Sequence, residues 1–243
     1  MPEFGLIGKN IDYSFSRTYF GEKFKREQLP FSYDNFDIPE ISKVPEILTS
    51  HPELKGLNVT IPYKEAIFPY LDELDVTAQK IGAVNTIKID RSGTTKGYNT
   101  DYWGFQKALE EFPSLKRKTA LVLGTGGASK AINFALKSLN YDIQFVSRNA
   151  SNSAIDYDSL DRHIIQKYLL IVNCTPLGTF PDTSASTPIP YEHIGTDHLL
   201  FDLIYNPSET TFLKNGKAKG ASVSNGLKML EYQAEKAWLI WNS

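Results

Sequence analysis

An α/β fold built on mostly parallel sheets is what this sequence predicts, and two observations predict it. Short β-branched or aromatic runs alternate along the chain with helix-length segments, the order that produces parallel strands with helices packed over them. Several of those runs, notably "TALVLG" at 119–124 and "LLIVNCT" at 169–175, are apolar almost continuously. Strands covered on both faces need that composition, because neither face meets water.

In chain order the predicted strands are "FGLIG" from Phe4, "LNVTIP" from Leu57, "AVNTIKI" from Ala83, "TALVLG", "IQFVS" from Ile143, "LLIVNCT" and "LLFDLIY" from Leu199. After the third, "DYWGFQKALEEF" begins at Asp101 and spaces Trp103, Phe105, Ala108, Leu109 and Phe112 by three and four, the stripe of a helix. It ends before Pro113. The polar, basic "PSLKRK" follows at 113–118, so a domain boundary falls there or in the helix before it, and the helix is the preferred connector. The Pro-, Ser- and Thr-rich "TFPDTSASTPIPYEH" at 179–193 is the longest irregular stretch. The last segment, "NGLKMLEYQAEKAWLIW", is an amphipathic helix with Leu227, Leu230, Ala234, Ala237 and Trp238 on one side, and that side has to dock on something.

Composition narrows the function. At 243 residues the chain makes one large or two ordinary domains. With 41% hydrophobic and 22% charged residues it belongs with folded globular proteins. A net charge of -2 gives no basic footprint for nucleic acid or an anionic membrane, which leaves small molecules as partners. No apolar segment nears the roughly 20 residues that span a bilayer. The opening "MPEFGLIGKNIDYS" has neither an export nor a transit pattern, so a cytoplasmic location is expected. Cys174 is the only cysteine and the four histidines are scattered, which rules out an intrachain disulfide and predicts no metal site.

Chemistry concentrates where predicted strands end. "TALVLGTGGASKAINFALKSLN" is a strand, a tight turn holding Gly124, Gly126 and Gly127, and a helix. Such glycines let backbone N–H groups approach a pyrophosphate, and the helix N-terminus adds favourable partial charge. NAD-binding units place an acid at the end of the next strand; here Ser147 and Arg148 stand there. With no carboxylate to repel a 2'-phosphate, NADP is favoured over NAD. "YSFS" after the first strand, "AVNT" and "GYNTD" in the middle, and "NCTPLG" after a later strand are binding candidates by position, although Thr100 or Asp101 could equally cap the following helix. "LNVTIPYKEA" runs a buried strand straight into Lys64.

Together these motifs resemble the shikimate dehydrogenase family over essentially the whole chain. "FGLIGKNIDYSFS" is similar to the family's opening strand and serine pair, which implies that Ser14 and Ser16 hold the substrate carboxylate. "NVTIPYK" is the most specific match and implies Thr60 as a substrate contact and Lys64 as the catalytic lysine. "GAVNT" supplies Asn85 and "GYNTD" supplies Asp101, the lysine's partner in the family. "GTGGAS", with Gly124, Gly126, Gly127 and Ala128, corresponds to the dinucleotide loop, "SRN" with Ser147 and Arg148 to the NADP-reading segment, and "NCTPLG" brings Asn173 and Thr175. "DLIYNPSETTFL" brings Tyr205, and "NGLKMLEYQA" brings Gly226, Met229 and the substrate ligand Gln233.

The resemblance implies two α/β domains flanking a cleft. Residues 1–101, rejoined by a C-terminal helix at 226–243, form the substrate domain, and residues 102–225 a Rossmann-type NADP domain. It also implies an enzyme that reversibly reduces 3-dehydroshikimate to shikimate, with monomer or homodimer both left open by the sequence. The family's serine pair usually has His before it and Pro after, where this chain has Tyr13 and Arg17; its cofactor segment usually carries a second Arg, where Asn152 stands. Loss of that cation keeps open a quinate-oxidising relative with NAD use. A silent shikimate- or dinucleotide-binding regulator is the alternative from another class. Hydride reduction of a ketone leaves an alkoxide that needs a nearby proton donor, the expected task of Lys64 with Asp101.

Overall fold

The computed structural model describes every residue except Met1, Pro2, Tyr13, Ser114 and Asn152. The departures at Tyr13 and Asn152 therefore lie outside the described residues. The chain forms two compact units, one reaching to Trp103 and including Gln233–Ser243, the other Gly104–Tyr232.

The first unit holds β1 (Glu3–Gly8), α1 (Phe15–Arg26), β2 (Ser32–Asp37), α2 (Val44–Ser50), β3 (Leu54–Val59), β4 (Glu73–Leu74), α3 (Val76–Ile81), β5 (Thr86–Ile89), β6 (Thr95–Tyr98) and the start of α4 (Asp101–Leu109). Its sheet runs β2-β1-β3-β5-β6-β4. The pairs β1–β2, β1–β3 and β4–β6 are parallel, but β5 is antiparallel to β3 and β6. The cause is local: Asp90 Oδ1 accepts from the N–H of Ser92 at 2.8 Å and of Thr94 at 3.0 Å, and Gly93 takes φ +86°, which folds β5 and β6 into a hairpin. This sheet is thus mixed, and β5 is the one strand that departs from the mostly parallel pairing expected. One face carries Ile7, Val44, Leu57, Ile67, Val84 and Ile87. An aromatic cluster of Phe4, Phe20, Phe24 and Trp241 forms a second core.

The second unit contains β7 (Thr119–Leu123), α5 (Gly127–Ser138), β8 (Asp142–Val146), β9 (Ala154–Ile155), α6 (Arg162–Lys167), β10 (Leu170–Asn173), β11 (Leu199–Asp202), α7 (Thr211–Ala218), β12 (Ser222–Ser224) and the start of α8 (Leu227–Trp241), whose remainder belongs to the first unit. The order is β12-β11-β10-β7-β8-β9, with every pair parallel. This is the dinucleotide-binding arrangement, and its strand order reverses between β7 and β10. The 179–193 stretch is irregular apart from a 3-10 turn at Tyr191–His193, and Ile189 anchors it in the core.

Two details differ from the sequence reading. Leu227 is 37% exposed, and the buried stripe of α8 is instead Met229, Gln233, Ala234, Ala237 and Trp241. The polar Gln233 occupies a position where the apolar count expected none. No helix among the described residues is long and apolar enough to cross a membrane.

Candidate active site

Lys64 follows β3 because the chain is pinned on both sides of it. Val84 N–H donates to the Lys64 carbonyl at 2.8 Å, and the buried Tyr63 hydroxyl donates to Ile38 O at 2.7 Å. Asp101 opens α4. Its side chain is not spent on capping, because Asn99 Oδ1 accepts from the N–H of Asp101 at 3.0 Å and of Tyr102 at 3.3 Å. Asn99 therefore caps the helix and leaves the Asp101 carboxylate available. Lys64 Nζ donates to Asp101 Oδ2 at 2.7 Å, with side chains only 20% and 11% exposed. Surface ion pairs are common and worth little; this one is largely withdrawn from water.

The other Asp101 oxygen accepts from Asn85 Nδ2 at 2.8 Å. The same Asn85 NH2 lies 3.3 Å from Gln233 Oε1, which also accepts from Thr100 Oγ1 at 3.2 Å. Lys64, Asp101, Asn85 and Gln233 thus meet in one network, although 169 positions separate Lys64 from Gln233 in the sequence. Thr60 sits half-buried just before Lys64, held by its N–H to Ile7 O at 2.9 Å. Ser14 is the N-cap of α1, its Oγ accepting from Arg17 N. That bond uses the oxygen and leaves the hydroxyl proton free to donate. Ser16 lies in the first turn, which contains no acid, so helix-terminal charge there suits an anion.

In the second unit, β7 delivers the glycine loop to the point where strand order reverses. Gly124 has φ +99°, and a Cβ there would lie 3.1 Å from Thr175 Cγ2. Gly126 is the N-cap of α5, which has no side-chain cap, and a Cβ on Gly126 would meet nothing within 4 Å. The amides of Gly127 and Ala128, at the start of this helix, have no intrahelical acceptor. An open approach to uncapped amides at the reversal point fits a dinucleotide pyrophosphate. Ser147 and the exposed Arg148 follow β8, and the first acid after them in the sequence is Asp156. Gly226 is packed so tightly that a Cβ would fall 2.1 Å from Leu203 O. Met229 is buried and Tyr205 half-buried, the latter's hydroxyl held above its ordinary pKa by desolvation.

Sequence reasoning missed the residues that hold these positions. Asn173 Nδ2 donates to Asp202 Oδ1 at 3.0 Å, and Asn173 Oδ1 accepts from Thr175 Oγ1 at 2.7 Å. Asp202 also accepts from Ile204 N at 3.0 Å and Thr210 Oγ1 at 2.6 Å. A lone acid inside "LLFDLIY" was the available signal. In the first unit the missed residues are Tyr33, Asn58 and Thr86, all buried; the signal for the last two was a polar residue inside the apolar "LNV" and "NTIKI".

Burial of Asp202 raises its pKa from 3.8 to about 6, against the lowering effect of its hydrogen bonds to Thr210, Ile204 and Asn173. A raised carboxyl pKa means that the folded state binds the proton more tightly. The stability it contributes is full below 3.8 and lost as pH rises to about 6. Against an Asp202→Asn variant, wild type should therefore lose up to about 3 kcal/mol across that window and then level off. Urea midpoints of the two proteins from pH ~3.5 to ~7.5 measure it; a flat difference would contradict the assignment.

Residues 6–87 match the family model described as shikimate dehydrogenase substrate binding domain. A Clostridium botulinum protein named shikimate dehydrogenase (NADP(+)) is 40% identical over 98% of this chain and 95% of its own length. One of the same name from Methanosphaera stadtmanae is 38% identical over 98% of this chain and 90% of its own. The crystal structure of shikimate 5-dehydrogenase from Thermus thermophilus, in complex with NADP(H) and shikimate, is 33% identical; it superposes with a TM-score of 0.87 over 99% of this chain and 93% of that one. On that near-full-length similarity, the chain belongs to the shikimate dehydrogenase family.

Proposed function

We propose that this chain catalyses the reversible NADP-linked oxidation of shikimate to 3-dehydroshikimate, with Lys64 as the acid–base residue. The observation that supports it is the withdrawn Lys64–Asp101 pair at 2.7 Å, beside hydrogen-bonding groups suited to a small polyol acid. In the reducing direction Lys64 gives its proton to the carbonyl oxygen as negative charge develops there. In the oxidising direction neutral Lys64 takes the hydroxyl proton. Asp101 aims the lysine. Thr60, Asn85, Gln233 and Tyr205 orient the ring hydroxyls, while Ser14 and Ser16 donate to the carboxylate at the N-terminus of α1. When bound, NADP supplies the hydride acceptor. Its pyrophosphate would lie on the amides of Gly126, Gly127 and Ala128, beside the turn at Gly124, whose own N–H is given to Val146 O at 2.8 Å, and its 2'-phosphate on Ser147 and Arg148. Asn173, Thr175, Gly226 and Met229 would line the remainder of its site. The single thiol suits a reducing compartment such as the cytoplasm.

Product identity tests the reading. Shikimate and NADP incubated with the protein should give a new ketone at C3 by NMR, with the C4 and C5 hydroxyls intact; no ketone, or one elsewhere, would reject it. The serine pair should act on affinity. Hydroxyl donors to a remote carboxylate bind ground and transition states alike, so the double variant Ser14→Ala, Ser16→Ala should raise KM for shikimate about tenfold or more with kcat changed less than about threefold. An unchanged KM would remove the carboxylate role.

A further inference from the structure

Tyr33 and Thr86 have no assigned part in the reaction, and they are 7% and 0% exposed. Their hydroxyls nevertheless sit in an ordered chain of hydrogen bonds whose direction can be worked out. Thr100 N–H can only donate, and it reaches Asn85 Oδ1 at 2.7 Å. That bond settles which half of the Asn85 amide is oxygen, and it turns the NH2 toward Asp101 Oδ1 at 2.8 Å.

The second amide is settled from the other end. Tyr33 Oη donates to Asn58 Oδ1 at 2.7 Å, so the Asn58 NH2 faces β5. There it donates to Asn85 O at 3.2 Å and to Thr86 Oγ1 at 3.3 Å. Having accepted from Asn58, Thr86 spends its own proton on Asn85 Oδ1 at 3.1 Å. Thr100 Oγ1 lies 3.3 Å from Thr86 Oγ1 and reinforces the junction. Donation runs one way, from Tyr33 through Asn58, Thr86 and Asn85 to Asp101.

We infer that Tyr33 and Thr86 are positioning residues for the reaction: through two asparagine amides they fix which Asp101 oxygen is occupied and hold the other against Lys64. This rests on the reaction proposed above. A buried polar chain is costly unless every member is satisfied, and when satisfied it defines one arrangement. Removing the Thr86 hydroxyl takes one acceptor from the Asn58 NH2, which keeps Asn85 O, and one donor from Asn85 Oδ1, which keeps Thr100 N and Thr100 Oγ1; the Asn85 amide is then held from one side only, and the carboxylate two bonds away loosens.

The test compares Thr86→Val, Tyr33→Phe and Thr86→Ser with wild type. Thr86→Val and Tyr33→Phe should each lower kcat about tenfold while KM for shikimate and for NADP stays within about twofold, because the loss falls on orientation of the proton donor. Thr86→Ser, which keeps the hydroxyl, should recover kcat to within about twofold of wild type. A residue serving only to fill the core would show a lowered melting temperature and no such kcat–KM split. Tyr33→Phe removes one oxygen and carries the test if Thr86→Val does not fold. A readout without turnover runs alongside: limiting acetic anhydride should label Lys64, relative to the exposed Lys9, about threefold faster in Thr86→Val as Asp101 loosens. Wild type silent toward shikimate would overturn the reaction, and the labelling would still decide the network. Active wild type with both variants at full kcat, or unchanged Lys64 labelling, would overturn the inference.

Discussion

Lys64→Ala is expected to lose at least about a hundredfold in kcat while KM for shikimate moves by no more than a few-fold. Lys64 acts while charge is developing, not before. A ground-state ketone or alcohol gains little from a lysine, whereas the oxygen that becomes charged during hydride transfer gains a great deal. General acids of this kind contribute on the order of a hundred- to ten-thousandfold. Removing Lys64 also strips Asp101 of its partner, so the buried network loses its reason to hold that carboxylate in place. If kcat held and only KM rose, Lys64 would be a binding residue and the proton would come from elsewhere.

The second large effect is on stability. Trp241→Ala should cost about 4 kcal/mol, within the range for deleting a buried large aromatic. Trp241 is 6% exposed, its ring lies 4.9 Å from Phe4 and 5.1 Å from Phe20, and its indole N–H donates to Ile87 O at 2.9 Å. Gly56 makes room for it: a Cβ there would fall 2.3 Å from the indole. Gly56→Ala should therefore reproduce much of the loss from the opposite side of the contact. Because Gln233 lies two turns before Trp241 on α8, both variants should also raise KM for shikimate. Denaturant unfolding and KM measured together check this; a variant that unfolds like wild type would show that the helix is docked by other contacts.

How much of this was legible in the sequence follows from what each residue does. The seven apolar runs announced β1, β3, β5, β7, β8, β10 and β11, because a covered strand must be apolar. Strands β2 ("SYDNFD"), β6 ("TKGY") and β12 ("SVS") escaped because they are polar or short and take their pairing from neighbours. The antiparallel turn of β5 depends on Asp90 and Gly93, and with β6 too polar to be predicted as a strand, nothing in the apolar pattern marked a hairpin there. Lys64 and Asp101 were found as polar residues at element ends. Tyr33 and Thr86 were not: inside a strand, a hydroxyl and an apolar side chain are both simply β-formers, and only the three-dimensional neighbours make one of them a hydrogen-bond donor. Leu227 erred in the other direction, since hydrophobicity alone assigned it to the docked face while Gln233 took the buried place.

The most direct measurement follows reduced-nicotinamide absorbance with shikimate, supplying NADP and NAD in parallel, for wild type and Lys64→Ala. The account predicts turnover with NADP well above that with NAD, and its collapse by at least about a hundredfold in the variant. Equal or better turnover with NAD would move the assignment to a quinate-type relative with relaxed cofactor use. Silence of the wild type with both cofactors would contradict the account.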